Sequence, residues 1–218
     1  MKCIFCKRPS ETSSSVEHII PESLGNKQYI LPKGAVCDKC NNYLAREVEK
    51  PVLASPMFRF LRKSMTIPNK RGKLPSLESS DIPPLPEYRV MGRFIGKVGL
   101  EVLAFKALDV RTWNEELVST VELDDLRRFV RYNEGEIWEF AFRTLYPVNA
   151  TFKEGDVFYE VLHEFDVLIT NENEFYVVIA VLGVEFVMNL GGRTLDGYHK
   201  WLKENNYRSP LYNDKNAF

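Results

Sequence analysis

No cysteine occurs after residue 40, and the 218 residues include only three histidines. A disulfide-stapled scaffold is therefore excluded for most of the chain, and imidazole chemistry must rest on His18, His163 or His199. His163 sits in a strand-like run beside Glu164, and His199 in a polar helical stretch near Trp201. Each of these two reads as a structural or surface residue. Long apolar runs are also missing. The strongly apolar residues 91–108 are interrupted by Arg93, Lys97, Glu101 and Lys106, which argues against a membrane span. No apolar leader accompanies the opening Met-Lys-Cys, so a reducing, cytoplasmic setting is the expectation. No internal repeat is apparent.

What the chain does have is concentrated near its start. Cys3-Ile-Phe-Cys6 and Cys37-Asp-Lys-Cys40 are two CxxC pairs that together use every cysteine. A CxxC turn lets two thiolates face one ion, and two such turns complete a tetrahedral sulfur shell. Soft thiolates in that geometry favour zinc or iron, with zinc the better match. A shell of four protein ligands leaves no position for substrate, so Cys3, Cys6, Cys37 and Cys40 point to a structural zinc. Two disulfides or a redox CxxC are the competing readings. The first needs an oxidising compartment, and the second normally comes singly beside a βαβ pattern that is not seen here.

Between the pairs lies Ser15-Val-Glu-His-Ile-Ile-Pro21, followed by Glu22-Ser-Leu-Gly-Asn26. With the flanking CxxC pairs and Asn41 after Cys40, this stretch resembles a zinc-containing HNH endonuclease of the EHIIP-type branch, over roughly residues 1–50. The resemblance implies a ββα-metal fold, two short strands and a helix around one divalent ion, with the zinc tying the motif together. It implies that His18 is the general base, that Glu17 is an acidic ligand of the ion, and that Asn41 is a second ligand from the start of the helix. Many members carry a bracing Asn shortly before the second CxxC. The matching position here is Pro32, so the brace is either absent or supplied by another residue such as Asn26.

Elementary chemistry agrees with this mapping. Phosphodiester hydrolysis needs a nucleophilic water, a base for its proton, and positive charge on the phosphoryl oxygens. A neutral imidazole suits the base role near neutral pH. Carboxylate and amide oxygens are hard ligands that suit Mg²⁺ or Mn²⁺ rather than zinc.

The net charge of −1 hides an asymmetry. Residues 1–75 hold 14 Lys/Arg against 6 Asp/Glu, and residues 76–218 hold 15 against 24. A polyanion is attracted to the first part and repelled by much of the second. Double-stranded DNA is the expected partner. Lys27, Lys33, Lys39, Arg46, Lys70, Arg71 and Lys73 are the candidate contacts, with the 70–73 cluster the best placed for phosphate.

The expected class is α+β, an N-terminal ββα-metal module followed by a helix-plus-antiparallel-sheet domain. Five prolines between residues 67 and 86 mark a linker, which divides the chain into 1–66, 67–87 and 88–218. Helices are expected from residue 41 to an interruption at Pro51, and over 56–65, 91–108, 123–131 and 198–204. Gly92, Gly96 and Gly99 suggest that the 91–108 helix lets another backbone approach closely. From residue 137 onward three β-rich runs, 137–143, 157–169 and 175–188, predict a sheet of three to five strands packed on that helix, with Gly183 marking a bend or strand break in the last run. No catalytic constellation is visible in this second half.

The leading functional expectation is an Mg²⁺-dependent endonuclease leaving 5′-phosphate and 3′-hydroxyl ends, suited by analogy to restriction or phage defence. Two alternatives stand beside it. One is a noncatalytic zinc module binding nucleic acid or protein. The other is a nuclease effector switched by a small molecule or regulatory partner bound to its C-terminal domain, which is also the candidate surface for a homodimer.

Overall fold

The computed structural model describes residues 1–69, 71–76, 84–145 and 163–212. Lys70, residues 77–83 of the expected linker and residues 157–162 of the expected β-run 157–169 lie outside the described residues.

The N-terminal part begins with a turn that carries Cys3 and Cys6, closed by the Cys3 amide donating to Arg8 O at 2.9 Å. Two short antiparallel strands follow, β1 (Glu17–His18) and β2 (Ile30–Leu31), with Glu17 opposite Leu31 and His18 opposite Ile30. Helix α1 (Asp38–Leu44) starts at Cys37, whose sulfur accepts from the Cys40 amide at 3.4 Å. A metal-binding turn and a helix N-cap are thus one structure. The helix does not stop at Pro51. A π-helical stretch, Ala45–Glu49, widens it so that the Lys50 amide reaches back to Ala45 O, and α2 (Lys50–Ala54) continues with Pro51 in its first turn. Proline has no amide hydrogen to give the helical ladder, and the wider π turn just before it is where the helix accommodates that loss. Helix α3 (Pro56–Ser64) follows, capped by Ser55.

Helix α4 (Tyr88–Lys106) is the spine of the molecule, with every residue from Met91 to Val102 buried. Its glycines explain how so many neighbours reach it. A Cβ on Gly96 would stand 2.8 Å from Val130 Cγ2, and one on Gly99 would stand 2.7 Å from Leu190 Cδ2. Both of these neighbours are side chains, and the backbone approach expected of this helix falls at Gly92, where a Cβ would stand 3.3 Å from Trp138 O. Helices α5 (Trp113–Ser119) and α6 (Asp124–Tyr132) flank α4, and α6 ends where Asn133 turns left-handed at φ 60°.

The sheet holds β3 (Phe140–Thr144), β4 (His163–Ile169), β5 (Phe175–Val181) and β6 (Val184–Asn189) in antiparallel order β3-β6-β5-β4. The expected 175–188 run is two strands, because Leu182 and Gly183 take positive φ of 53° and 81° and close a tight hairpin. Strand β5 is buried on both faces. Val177 and Ile179 join the core around α4, and Tyr176 and Val178 pack under α7 (Asp196–Glu204) with Leu195 and Tyr198. That double burial accounts for its unbroken apolar sequence.

One cluster of buried side chains runs from Cys3 through Ile67 and on to Leu190. The N-terminal strands and helices therefore share a core with α4 and the sheet. Polar contacts reinforce the join. Arg127 Nε donates to Ile4 O at 2.8 Å, Asn114 and the Lys2 backbone exchange two hydrogen bonds, and His163 Nε2 lies 2.8 Å from Leu24 O. Burial holds the His163 imidazole below its ordinary pKa, which fits a neutral ring donating to a carbonyl. The structural reading of His163 is thus the observed one.

Candidate functional site

The four cysteines converge. Their sulfur atoms all lie within 4.8 Å of one another, with Cys6 and Cys37 at 3.7 Å, and all four are free thiols. A tetrahedral zinc with bonds of ~2.3 Å spaces its sulfurs by ~3.8 Å, so the cage fits this ion. Ionisation is unevenly shared. Cys3 and Cys6 push the Cys40 thiol up, while hydrogen bonds from Cys3 and Cys40 hold Cys6 down. Four thiols this close cannot all ionise unless a cation compensates them. Arg131, from α6, donates from Nε to Cys40 Sγ at 3.1 Å and lies 3.9 Å from the centre of the Tyr43 ring.

A second group forms next to this cage. Successive residues of a strand point to opposite faces, so β1 sends Glu17 inward and leaves His18 half-buried at a cleft. Asp38 accepts from the Ser14 and Ser15 amides at 3.1 and 2.8 Å, which ties the approach to β1 onto the start of α1. Asn41, one turn into α1, then meets Glu17, with Nδ2 2.8 Å from Oε2 and 3.3 Å from Val16 O. A cleft of about 210 Å³ opens here, lined by Glu17, His18, Glu22, Asn41, Ala45 and Glu49. His18 Nδ1 is buried and makes no hydrogen bond.

The bracing role belongs to Asn26 and not to the Pro32 position. Asn26 is buried between the strands. Its Nδ2 donates to Ile20 O and Tyr29 O at 2.7 and 3.1 Å, and its Oδ1 accepts from the Gln28 and Tyr29 amides, both at 3.0 Å. Four bonds from one amide lock the loop joining β1 to β2, and with it the orientation of Glu17-His18.

The donors at the cleft also suit a hard divalent cation. Glu17 Oε2 and the Asn41 amide face each other, and a half-turn of that amide brings Oδ1 beside the carboxylate in place of Nδ2. Glu49 stands on the same cleft.

The second half also reaches this site, through a residue that sequence reasoning did not single out. Lys97 of α4 is fully buried, and its ammonium lies 2.7 Å from Glu17 Oε1, 2.8 Å from Glu49 Oε1 and 2.8 Å from Glu101 Oε2. Burial alone would lower the Lys97 pKa. The attraction of Glu101, Glu17 and Glu49 outweighs it and holds the ammonium well above the ordinary lysine value. Glu101 is pushed well up by its own burial despite Lys97, and its Oε1 has no hydrogen-bond partner. One ammonium shared by three carboxylates leaves the deepest of them the least compensated. Arg93, one turn before Lys97, donates to Tyr43 Oη at 3.1 Å. The signal for this stripe was present in the sequence as charges at 93, 97 and 101, spaced four apart on one helix face.

Of the candidate nucleic-acid contacts, Lys27, Lys33, Lys39, Arg46, Arg71 and Lys73 are exposed. Arg46 pairs with Glu47 at 2.6 Å, and the amides of Arg71 and Lys73 both donate to Asn69 Oδ1. Lys70 lies outside the described residues.

Residues 3–56 match the family model of HNH endonucleases. The chain carries an HNH module. The match takes in both CxxC pairs, Glu17-His18, Asn26, Asn41 and Glu49, and ends before Lys97, Arg127 and Arg131. It points to a nuclease, and so to a nucleic acid as the partner. No curated protein and no solved structure matches the chain. No described helix is long and apolar enough to cross a membrane.

Proposed function

We propose that this protein is a divalent-metal-dependent endonuclease that hydrolyses phosphodiester bonds in double-stranded DNA. The observation that supports the reading is the meeting of Glu17, His18 and Asn41 in one cleft beside the four-cysteine cage. In this reading residues 1–66 are the nuclease module, residues 67–87 the connection, and residues 88–218 an α+β region that supports the module and bears on target or partner choice. A role in restriction or defence rests on analogy with the family.

Glu17 and Asn41 would hold Mg²⁺ or Mn²⁺, which supplies positive charge to the phosphoryl and leaving oxygens. His18 takes the proton of the attacking water through a ring nitrogen that bears a lone pair. Asn26 keeps the imidazole and the Glu17 carboxylate in fixed register, so little reorganisation is left for the reaction itself. Cys3, Cys6, Cys37 and Cys40 would hold the zinc, and through it the start of α1 and therefore Asn41 would be kept in place. Exposed Lys39 and Arg46, on and just beyond α1, and the Arg71–Lys73 turn are suited to phosphates of the bound duplex.

Plasmid cleavage in the presence of Mg²⁺ or Mn²⁺, by wild type and by His18→Ala, tests the reading. Loss of a general base costs ~10²–10⁴-fold in rate, with zinc content and DNA affinity kept. Equal cleavage by the variant would remove His18 from the mechanism.

A further inference from the structure

We propose that Lys97 is a positioning residue of the nuclease centre, which makes α4 an integral part of that centre although it lies outside the HNH module. The proposal rests on the nuclease reading above. An ammonium has three hydrogens to donate. Those of Lys97 are matched by three carboxylates at 2.7–2.8 Å, one from its own helix and two from the module. Glu101, four residues along α4, anchors the ammonium from below, and both side chains of this pair are fully buried. The ammonium is thereby aimed at Glu17 and Glu49, two of the three carboxylates that line the cleft, Glu22 being the third.

Packing alone does not require this arrangement. A buried Lys–Glu pair is costly to desolvate, and an apolar pair of similar size fills the same space without that cost. What the ammonium adds is control over Glu17. It occupies Oε1, so that only Oε2 turns toward Asn41 and the cleft. The carboxylate is then confined to one-oxygen ligation, which suits the tight octahedral shell of Mg²⁺ or Mn²⁺. Calcium's larger shell readily takes a carboxylate by both oxygens. Partners that hold a ligating side chain from behind are worth ~10–100-fold in metal affinity or activity.

The test uses the full chain with Lys97→Met and Glu101→Leu combined. The pair removes the buried ammonium together with the carboxylate beneath it, so neither is left buried without its partner and the hold on Glu17 and Glu49 is lost. Mn²⁺ binding is followed by electron paramagnetic resonance, beside zinc content and thermal unfolding. The expected result is a folded, zinc-loaded protein with Mn²⁺ affinity at least ~10-fold weaker and a preference for Mn²⁺ over Ca²⁺ that is reduced. Wild-type affinity and wild-type preference in the folded double variant overturn the proposal. A second measurement does not depend on any variant folding. In ¹⁵N-lysine-labelled wild type, the Lys97 ammonium resonance is expected to shift on addition of Mg²⁺ and to broaden with Mn²⁺. A resonance unmoved at Mg²⁺ concentrations that support cleavage overturns the proposal. If wild type neither binds Mn²⁺ nor cleaves, the nuclease reading fails and this inference fails with it.

Discussion

Arg131 Nε stands 3.1 Å from the sulfur of Cys40, a residue 91 positions earlier in the chain. The bond joins α6 to the four-cysteine cage. Its donor is almost wholly buried, stacked on Tyr43, and directed at a sulfur that carries negative charge when it binds zinc. A donor to such a sulfur stabilises the thiolate and slows its exchange. Arg131→Met keeps much of the bulk and removes the donor. Its zinc is expected to pass to a chelator ~10-fold faster or more, measured with a colorimetric zinc indicator. A transfer rate equal to wild type would mean that the contact is only packing.

Elemental analysis of the purified chain is expected to find one zinc per molecule. Any single Cys→Ser change among Cys3, Cys6, Cys37 and Cys40 should lose the metal and unfold the N-terminal strands and α1, because zinc binding supplies much of the folding free energy of so small a unit. Thiol titration is the complementary measurement. Two disulfides and no zinc would refute the metal assignment.

Asn26→Ala deletes four hydrogen bonds and leaves Ile20 O without its buried donor. A loss of at least ~2 kcal/mol in denaturant-induced unfolding is expected, together with reduced cleavage. Asn26→Asp is a sharper version of the same experiment. It keeps the acceptor for Gln28 and Tyr29 but sets a carboxylate against two carbonyl oxygens. It is therefore expected to be no better than alanine. A stable Asn26→Asp protein would mean that the loop is held by something else.

Gly99→Ala sets two effects against each other. Alanine in a helix is favoured over glycine by ~1 kcal/mol. The new Cβ, however, would stand 2.7 Å from Leu190 Cδ2 and 3.0 Å from Val177 Cγ1, both fully buried. Overpacking of that kind costs ~1–3 kcal/mol, so a net loss of stability is expected. Gly191→Ala is the control, since its nearest neighbour would be 3.9 Å away and ordinary contact results. If both variants melt with wild type, α4 has room that the structure denies it.

Much of this could be read locally. A CxxC turn is decided by four consecutive residues, and its chemistry does not depend on where the turn sits. The same holds for Glu17-His18 on one short strand and for Asn41 one residue after Cys40. Helix α4 declared itself by its apolar composition, and its glycines pointed to close packing, which is one reason for a helix to carry three of them despite their cost. The β5–β6 hairpin was less legible. The run over residues 175–188 is apolar almost throughout because β5 is buried on both faces; Gly183 marked a break in it, and the positive φ at Leu182 and Gly183 makes that break a tight hairpin.

Tertiary structure decided what surrounds those local pieces. Asn26 became a brace only once the loop between β1 and β2 folded over it. Lys97 and Glu101 read in sequence as charges that interrupt an apolar segment and Arg131 as the end of a short helix, and such charges normally face water. Whether a charge is solvated or buried depends on what packs over it, and here the cover comes from the HNH module 80 residues away, through Glu17. A window of local sequence holds no record of that distance. The ligand types and their spacing were therefore set along the chain, whereas the partners that hold those ligands were set by the shared core, where a buried ammonium must find its carboxylates or not be charged at all.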